Sequence, residues 1–195
     1  MVKHPVKNTV FCKLSKRNKM TEKQLKYGEE YKIIINEIDS ISHRLTSIHS
    51  KHLQCKKGCD LCCMDYSIFP VEFYTILNQL KANKTIVKPV EKADANSCAF
   101  LNNHACTIYE NRPVICRTHG LPLLYMNDDS EWELSACELN FTDFDFDEFS
   151  DENTIPMDRF NSKLFLLNKK FISYFKEKEF KETDLIPLKE LSEHL

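Results

Sequence analysis

Apolar positions follow helical spacing in the first and last thirds of the chain and lose it in between. From Thr21 onward, Leu25, Ile34, Ile38, Ile41, Leu45 and Ile48 fall on one stripe, which predicts a core-facing helix over about 21–53. Thr21 followed by Gln24 fits a capping box at its start. A second helix is expected from Pro70, with the proline in the first turn and Val71, Tyr74, Leu77 and Leu80 buried. Residues 82–97 are mixed and polar, contain Pro89, and read as a connector. Through 98–120 the periodicity fails, and Pro113 should end any short turn begun at Thr107. Residues 121–126 and 132–134 flank the polar run Asn127, Asp128, Asp129 and Ser130, which predicts a β-hairpin. Met157, Phe160, Leu164, Leu167, Phe171 and Phe175 then predict a long amphipathic helix over about 155–180, N-capped by Thr154 and packed on the first helix. Leu188, Leu191 and Leu195 suggest a last short one.

The expected fold class is therefore mainly α: a single domain over 21–195, built of amphipathic helices around an irregular cysteine-rich segment, 55–137, with a small β-hairpin. Residues 1–20 carry Lys3, Lys7, Lys13, Lys16, Arg17 and Lys19 with no acidic residue before Glu22, and read as a flexible basic arm.

Composition narrows the chemistry. A chain of 195 residues buries roughly 70% of its unfolded surface, so it does not need a metal merely to fold. The formal net charge of −2 gives no sign of a nucleic-acid partner. No apolar run approaches the ~18 residues of a membrane helix, and the N-terminus lacks a signal-peptide pattern, so no membrane partner is expected and the location expected is cytoplasmic. In a reducing compartment nine cysteines, an odd count, argue for metal ligation over a disulfide framework. Only Gly28, Gly58 and Gly120 are glycines, too few and too scattered for a phosphate loop or dinucleotide fingerprint.

The chemistry concentrates in CKKGCDLCC, residues 55–63. Cys55, Cys59 and Cys62 would converge either on one helical stripe or around a tight turn at Gly58. Cys62 and Cys63 are adjacent and do not readily point the same way. One should ligate while the other serves a second metal or packs as a small hydrophobe. A closed zinc site wants four ligands, and a [4Fe–4S] cluster usually takes four cysteines. Further ligands must come from Cys98, Cys106, Cys116 and Cys137, with Cys12 a remote bystander. Eight thiolates would fill two four-coordinate sites, or one site with cysteines left over. His52, His104 and His119 lie within three residues of Cys55, Cys106 and Cys116, so imidazole is an alternative ligand.

The order CxxxCxxCC at 55–63, CAFL at 98–101 and CTIYENRPVICR at 106–117 resembles the cysteine-cluster family of zinc- or iron-chelating proteins, a broad group in which some members are flagellin lysine N-methylases. The resemblance covers about 55–137 and implies metal binding by Cys55, Cys59, Cys62, Cys63, Cys98, Cys106 and Cys116. Tyr109, Arg112, Pro113 and Arg117 match that family's IYExRPxxCR pattern. Arg112 and Arg117 would offset the surplus charge of a metal bound by thiolates, the alternative being an ordinary ion pair with Glu110.

Rival readings use the same residues. CxxxCxxC is also the cluster motif of radical S-adenosylmethionine enzymes, but Leu61 stands where those carry an aromatic residue, and strands and helices do not alternate here. A redox or methyl-transfer enzyme resembling the lysine N-methylases lacks a recognisable methyl-donor pocket. A cysteine hydrolase would rest on His119 near Cys116 alone. The acidic run FTDFDFDEFSDEN fails as a calcium loop, because Glu148 occupies the glycine position and Thr154 that of the bidentate glutamate. It reads as a solvated loop anchored by Phe141, Phe144 and Phe146. The expected function is a metal-binding protein holding zinc or an iron–sulfur cluster. An Fe–S enzyme, or a zinc-stapled module recruiting a protein partner through the basic arm and acidic loop, are the alternatives.

Overall fold

The computed structural model describes residues 20–84, 97–175 and 180–195. The basic arm, Cys12 and most of the polar connector lie outside the described residues. Helix α1 (Glu22–Ile48) begins on the expected capping box: Gln24 N–H donates to the Thr21 hydroxyl at 3.3 Å, and Thr21 N–H donates to the Gln24 side chain at 2.9 Å. Its buried face is Gln24, Gly28, Tyr31, Ile34, Ile35, Ile38 and Leu45. Leu25 and Ile48, placed on that face by sequence, are exposed. The true stripe passes through Gln24 and Gly28, one position from Leu25, and the helix ends at Ile48.

Strand β1 (Ser67–Ile68) leads into α2 (Pro70–Ala82), which opens on Pro70 as expected and buries Val71, Phe73, Ile76, Leu77 and Leu80. The tight hairpin β2 (Leu101–Asn102) and β3 (Ala105–Cys106) follows, its turn made by Asn103 and His104 at positive φ. A 3₁₀ turn at Tyr109–Asn111 ends before Pro113, and the short helix α3 (Val114–Thr118) starts directly after it. Pro113 thus closes one turn and opens the next, since its missing N–H is unneeded at a helix start.

Strands β4 (Leu123–Met126) and β5 (Trp132–Ser135) form the expected hairpin, in the register Leu123↔Ser135 to Met126↔Trp132. A third strand joins them in parallel: β6 (Ile155–Pro156) pairs with Leu123 and Leu124. That pairing uses the residues after Thr154, so α4 (Met157–Ile172) is capped at Pro156, while the Thr154 hydroxyl donates to the Ser150 carbonyl at 2.8 Å. β7 (Ile186–Pro187) returns to pair antiparallel with β1, and a 3₁₀ turn at Leu188–Glu190 runs into α5 (Leu191–His194).

The architecture is mainly α with a few short strands. α1 packs on α2, α3 and α4, burying Tyr31, Ile38, Leu45, Phe160, Leu164 and Phe171. A second core gathers Ile68, Phe73, Leu80, Phe100, Ile108, Ile186 and Leu191, with Cys98 and Cys106 packed on its edge. Glu72, fully buried, joins three elements: it accepts from Tyr31 OH at 3.1 Å, from Val114 N–H at 3.1 Å and from Phe69 N–H at 3.3 Å. Burial raises its carboxyl above the ordinary range against the pull of those donors. Among the described residues no helix is long and apolar enough to cross a membrane.

Candidate metal centre

Between Ile48 and Ser67 the chain has no helix of its own and turns by short contacts instead: Cys59 N–H to the Lys56 carbonyl at 3.0 Å, and Cys63 N–H to the Asp60 carbonyl at 2.8 Å. Gly58, at φ +95°, supplies the left-handed step between the first two cysteines. The cysteine run is thus a double turn, the second of the two geometries open from sequence. Cys55, Cys59 and Cys62 are exposed and Cys63 is half-buried.

The downstream cysteines reach this turn by two routes. Cys98 N–H donates to the Cys63 carbonyl at 3.0 Å, beside a bridge between Met64 and Ser97. Cys106 lies on the hairpin opposite Leu101, and Thr107 N–H donates to the Phe100 carbonyl at 2.8 Å. Cys116 is on α3, held to α2 by the Glu72–Val114 bond and to α1 by Arg117. At the other end, Asn140 is buried and works in four directions. It donates from its amide to the Gly120 carbonyl at 2.6 Å and to Cys55 Sγ at 3.3 Å. Its side-chain oxygen accepts from Gln54 N–H at 2.7 Å, and its backbone N–H donates to the Cys137 carbonyl at 2.9 Å. Asn140 had no motif around it to mark it in the sequence.

Gly120, at φ +88°, passes so close to Cys55 that a Cβ there would stand 2.7 Å from Cys55 Sγ. The sulfur occupies space that only glycine leaves. N–H donors also face two other sulfurs, from Phe100 to Cys98 at 3.5 Å and from Ile108 to Cys106.

Neighbouring thiols raise one another, across the Cys62–Cys63 junction as well as at either end of the region. Packing around its sulfur raises the Cys62 thiol, and Cys55, Cys59 and Cys137 add to the rise. Burial pushes Cys63 up to about 12, helped by Cys62, Cys98 and Cys106. Burial also pushes Cys116 far up, with Cys98, Cys106 and Cys63 contributing and Arg112 opposing. The Cys106 thiol is raised by burial, against the Ile108 N–H and Arg112. These are metal-free thiols, and every one of these shifts marks a donor that must lose a proton to ligate.

Arg112 lies over the Tyr109 ring at 3.6 Å from its centroid and donates to the Cys116 carbonyl at 3.4 Å, which places its charge beside Cys106 and Cys116. Arg117 faces elsewhere. Its side chain, 9% exposed, grips both Asp39 oxygens at 2.8 and 2.6 Å and donates to the carbonyls of Arg112 and Glu110. It touches the Glu110 backbone, and its ion pair is with α1.

The histidines separate too. His52 lies among Phe141 and Phe144, and His49 makes an edge contact with both rings. His104 pairs with Asp60 at 2.8 Å on the surface. His119 lies against Tyr66 with centroids 5.1 Å apart, its Nε2 buried without a hydrogen-bond partner and its imidazole held neutral by burial. In the acidic loop, Phe141 is buried, Phe144 is half-buried and packs on Phe149 at 4.6 Å, and Phe146 is exposed.

Among the described residues no three His, Cys, Asp or Glu side chains converge at metal-holding distance. The fold brings the eight described cysteines into mutual reach, with the sulfurs not at ligand spacing. The donor set suits a thiophilic metal in kind: all sulfur, with N–H donors facing Cys55, Cys98 and Cys106, and cradled at Cys55 by a glycine.

Residues 54–138 match a family model, CxxCxxCC, described as "Putative zinc- or iron-chelating domain". Neither a curated protein nor a solved structure matches the chain.

Proposed function

We propose, from the premise that residues 54–138 carry the domain of that zinc- or iron-chelating family, that the chain binds zinc or an iron–sulfur cluster through Cys55, Cys59, Cys62, Cys63, Cys98, Cys106, Cys116 and Cys137. The observation that carries the reading is the approach of eight cysteines from five separate stretches of chain, with N–H donors at Cys55, Cys98 and Cys106. Such donors orient thiolates and spread their charge. Arg112 offsets part of that charge beside Cys106 and Cys116. The metal's contribution is to cross-link the turn at 55–63 to the hairpin, to α3 and to the segment after β5, so binding energy becomes folding energy. The nine cysteines, an odd count with most of them inside the chelating-family match, also favour a reducing compartment, the cytoplasm.

The test is purification without air followed by zinc, iron and sulfide analysis and thiol titration. Bound metal with thiols protected from titration is the expected result. Metal-free protein whose thiols all titrate freely would overturn the reading.

A further inference from the structure

We infer that the eight cysteines form two separate metal centres of unequal exposure: an outer one from Cys55, Cys59, Cys62 and Cys137, and an inner one from Cys63, Cys98, Cys106 and Cys116. The inference rests on the metal-binding reading above and adds the number, membership and accessibility of the sites.

The backbone makes the division. Cys63, Cys98 and Cys106 are tied by the Cys98–Cys63 hydrogen bond, the Met64–Ser97 bridge and the β2–β3 pairing of Cys106 with Leu101. Cys98 and Cys106 rest against the second core, next to Phe100 and Ile108, both fully packed. Cys116 joins them from α3, with Arg112 bonded to its carbonyl. Cys55 and Cys137 are tied instead through Asn140, which bonds the Cys55 sulfur and the Cys137 carbonyl. Cys59 and Cys62 share their exposed turn with Cys55. The adjacent pair Cys62 and Cys63 therefore divides, one to each group. Tyr66 stands beside the outer turn, its hydroxyl donating to the Cys62 carbonyl at 3.1 Å and its ring against His119.

The surroundings differ in kind. The inner four are all half-buried, and Cys98 and Cys106 pack against the apolar core. Three of the outer four are exposed, on the turn at 55–63, where Cys55 meets Asn140 and Gly120. A metal in the inner group exchanges only when the core opens, whereas one in the outer group is reachable by a competing ligand from solvent. The outer centre is the one able to exchange or deliver metal, and the inner one staples the fold.

Native mass spectrometry of the full chain, purified without air and then reconstituted with zinc ion, tests this. Two zinc ions per chain are expected. A chelator should remove one with the far-UV circular dichroism unchanged, and the second only on denaturation. Cys59→Ser, on the exposed turn, should lose the chelator-labile ion and keep the inert one. Cys106→Ser should lose the inert ion, and if it fails to fold, Cys59→Ser still decides the matter. One zinc per chain, loss of both ions together in Cys59→Ser, or release of both at a single rate overturns the two-centre inference while leaving metal binding standing. No zinc, iron or cluster in any preparation overturns both.

Discussion

Gly120 offers a sharp probe of the centre, because it and Gly58 share a backbone conformation and differ in what surrounds them. Gly120 has φ +88° and Gly58 φ +95°, both in the left-handed region. Placing alanine at either costs about 1–2 kcal/mol in backbone strain. At Gly58 the new Cβ would meet nothing within 4 Å. At Gly120 it would stand 2.7 Å from Cys55 Sγ and 3.4 Å from the Asn140 amide, so the thiol must swing away and lose its bond from Asn140. Orienting contacts of this kind are worth about 10- to 100-fold in metal affinity. In urea unfolding of the metal-free protein both variants should lose stability to backbone strain, and Gly120→Ala somewhat more through the displaced Cys55 contact. In zinc competition with a chromophoric chelator, Gly120→Ala should then weaken by a further factor of about ten or more relative to Gly58→Ala. Equal zinc affinity in the two variants would show that the Cys55 sulfur is not a ligand in the position seen, and the argument from the glycine cradle would fail.

The other predictions concern charge and protons. Asp39→Asn removes the anion gripped by the nearly buried Arg117, and should cost about 2 kcal/mol in chemical denaturation while leaving metal stoichiometry unchanged, since Arg117 is committed to α1. Loss of bound metal in a folded Asp39→Asn protein would show instead that Arg117 acts on the thiolates. Burial raises the thiols of Cys63, Cys106 and Cys116, so zinc bound by these three must displace about three protons at neutral pH. Calorimetric enthalpies should then vary with buffer ionisation enthalpy, and affinity should rise with pH. In the metal-free protein the sign reverses. The folded state holds protons on Cys63 up to about 12 that the unfolded chain releases near the usual thiol range, so stability is full below that range and falls as pH rises through it toward 12. Denaturation midpoints measured on either side of that window check this, and a midpoint that rose with pH would refute it.

Local chemistry made much of this molecule legible in advance. The Thr21–Gln24 box, Pro70 at a helix start and the Asn127–Ser130 turn depend on neighbours a few residues away, and these features stand where the spacing put them. So does the mainly α class, because the 3.6-residue period needs nothing beyond the helix itself. Where tertiary pairing intervened, the edges moved: β6 claimed Ile155 and Pro156 for β4 and delayed α4, and the packing of α1 shifted its buried stripe from Leu25 to Gln24 and Gly28.

The ordered cysteine motifs by themselves pointed to the zinc- or iron-chelating family model that residues 54–138 match, because thiol spacing is a property of the chain. The surroundings of those thiols were not in the motif. They depended on Asn140 bonding Cys55 across 85 residues, on Arg117 turning to Asp39 across 78, and on the Cys98 N–H to Cys63 carbonyl bond beside a half-buried Cys63 and an exposed Cys62. Contacts between distant segments carry no local periodicity, so only the folded chain could decide them.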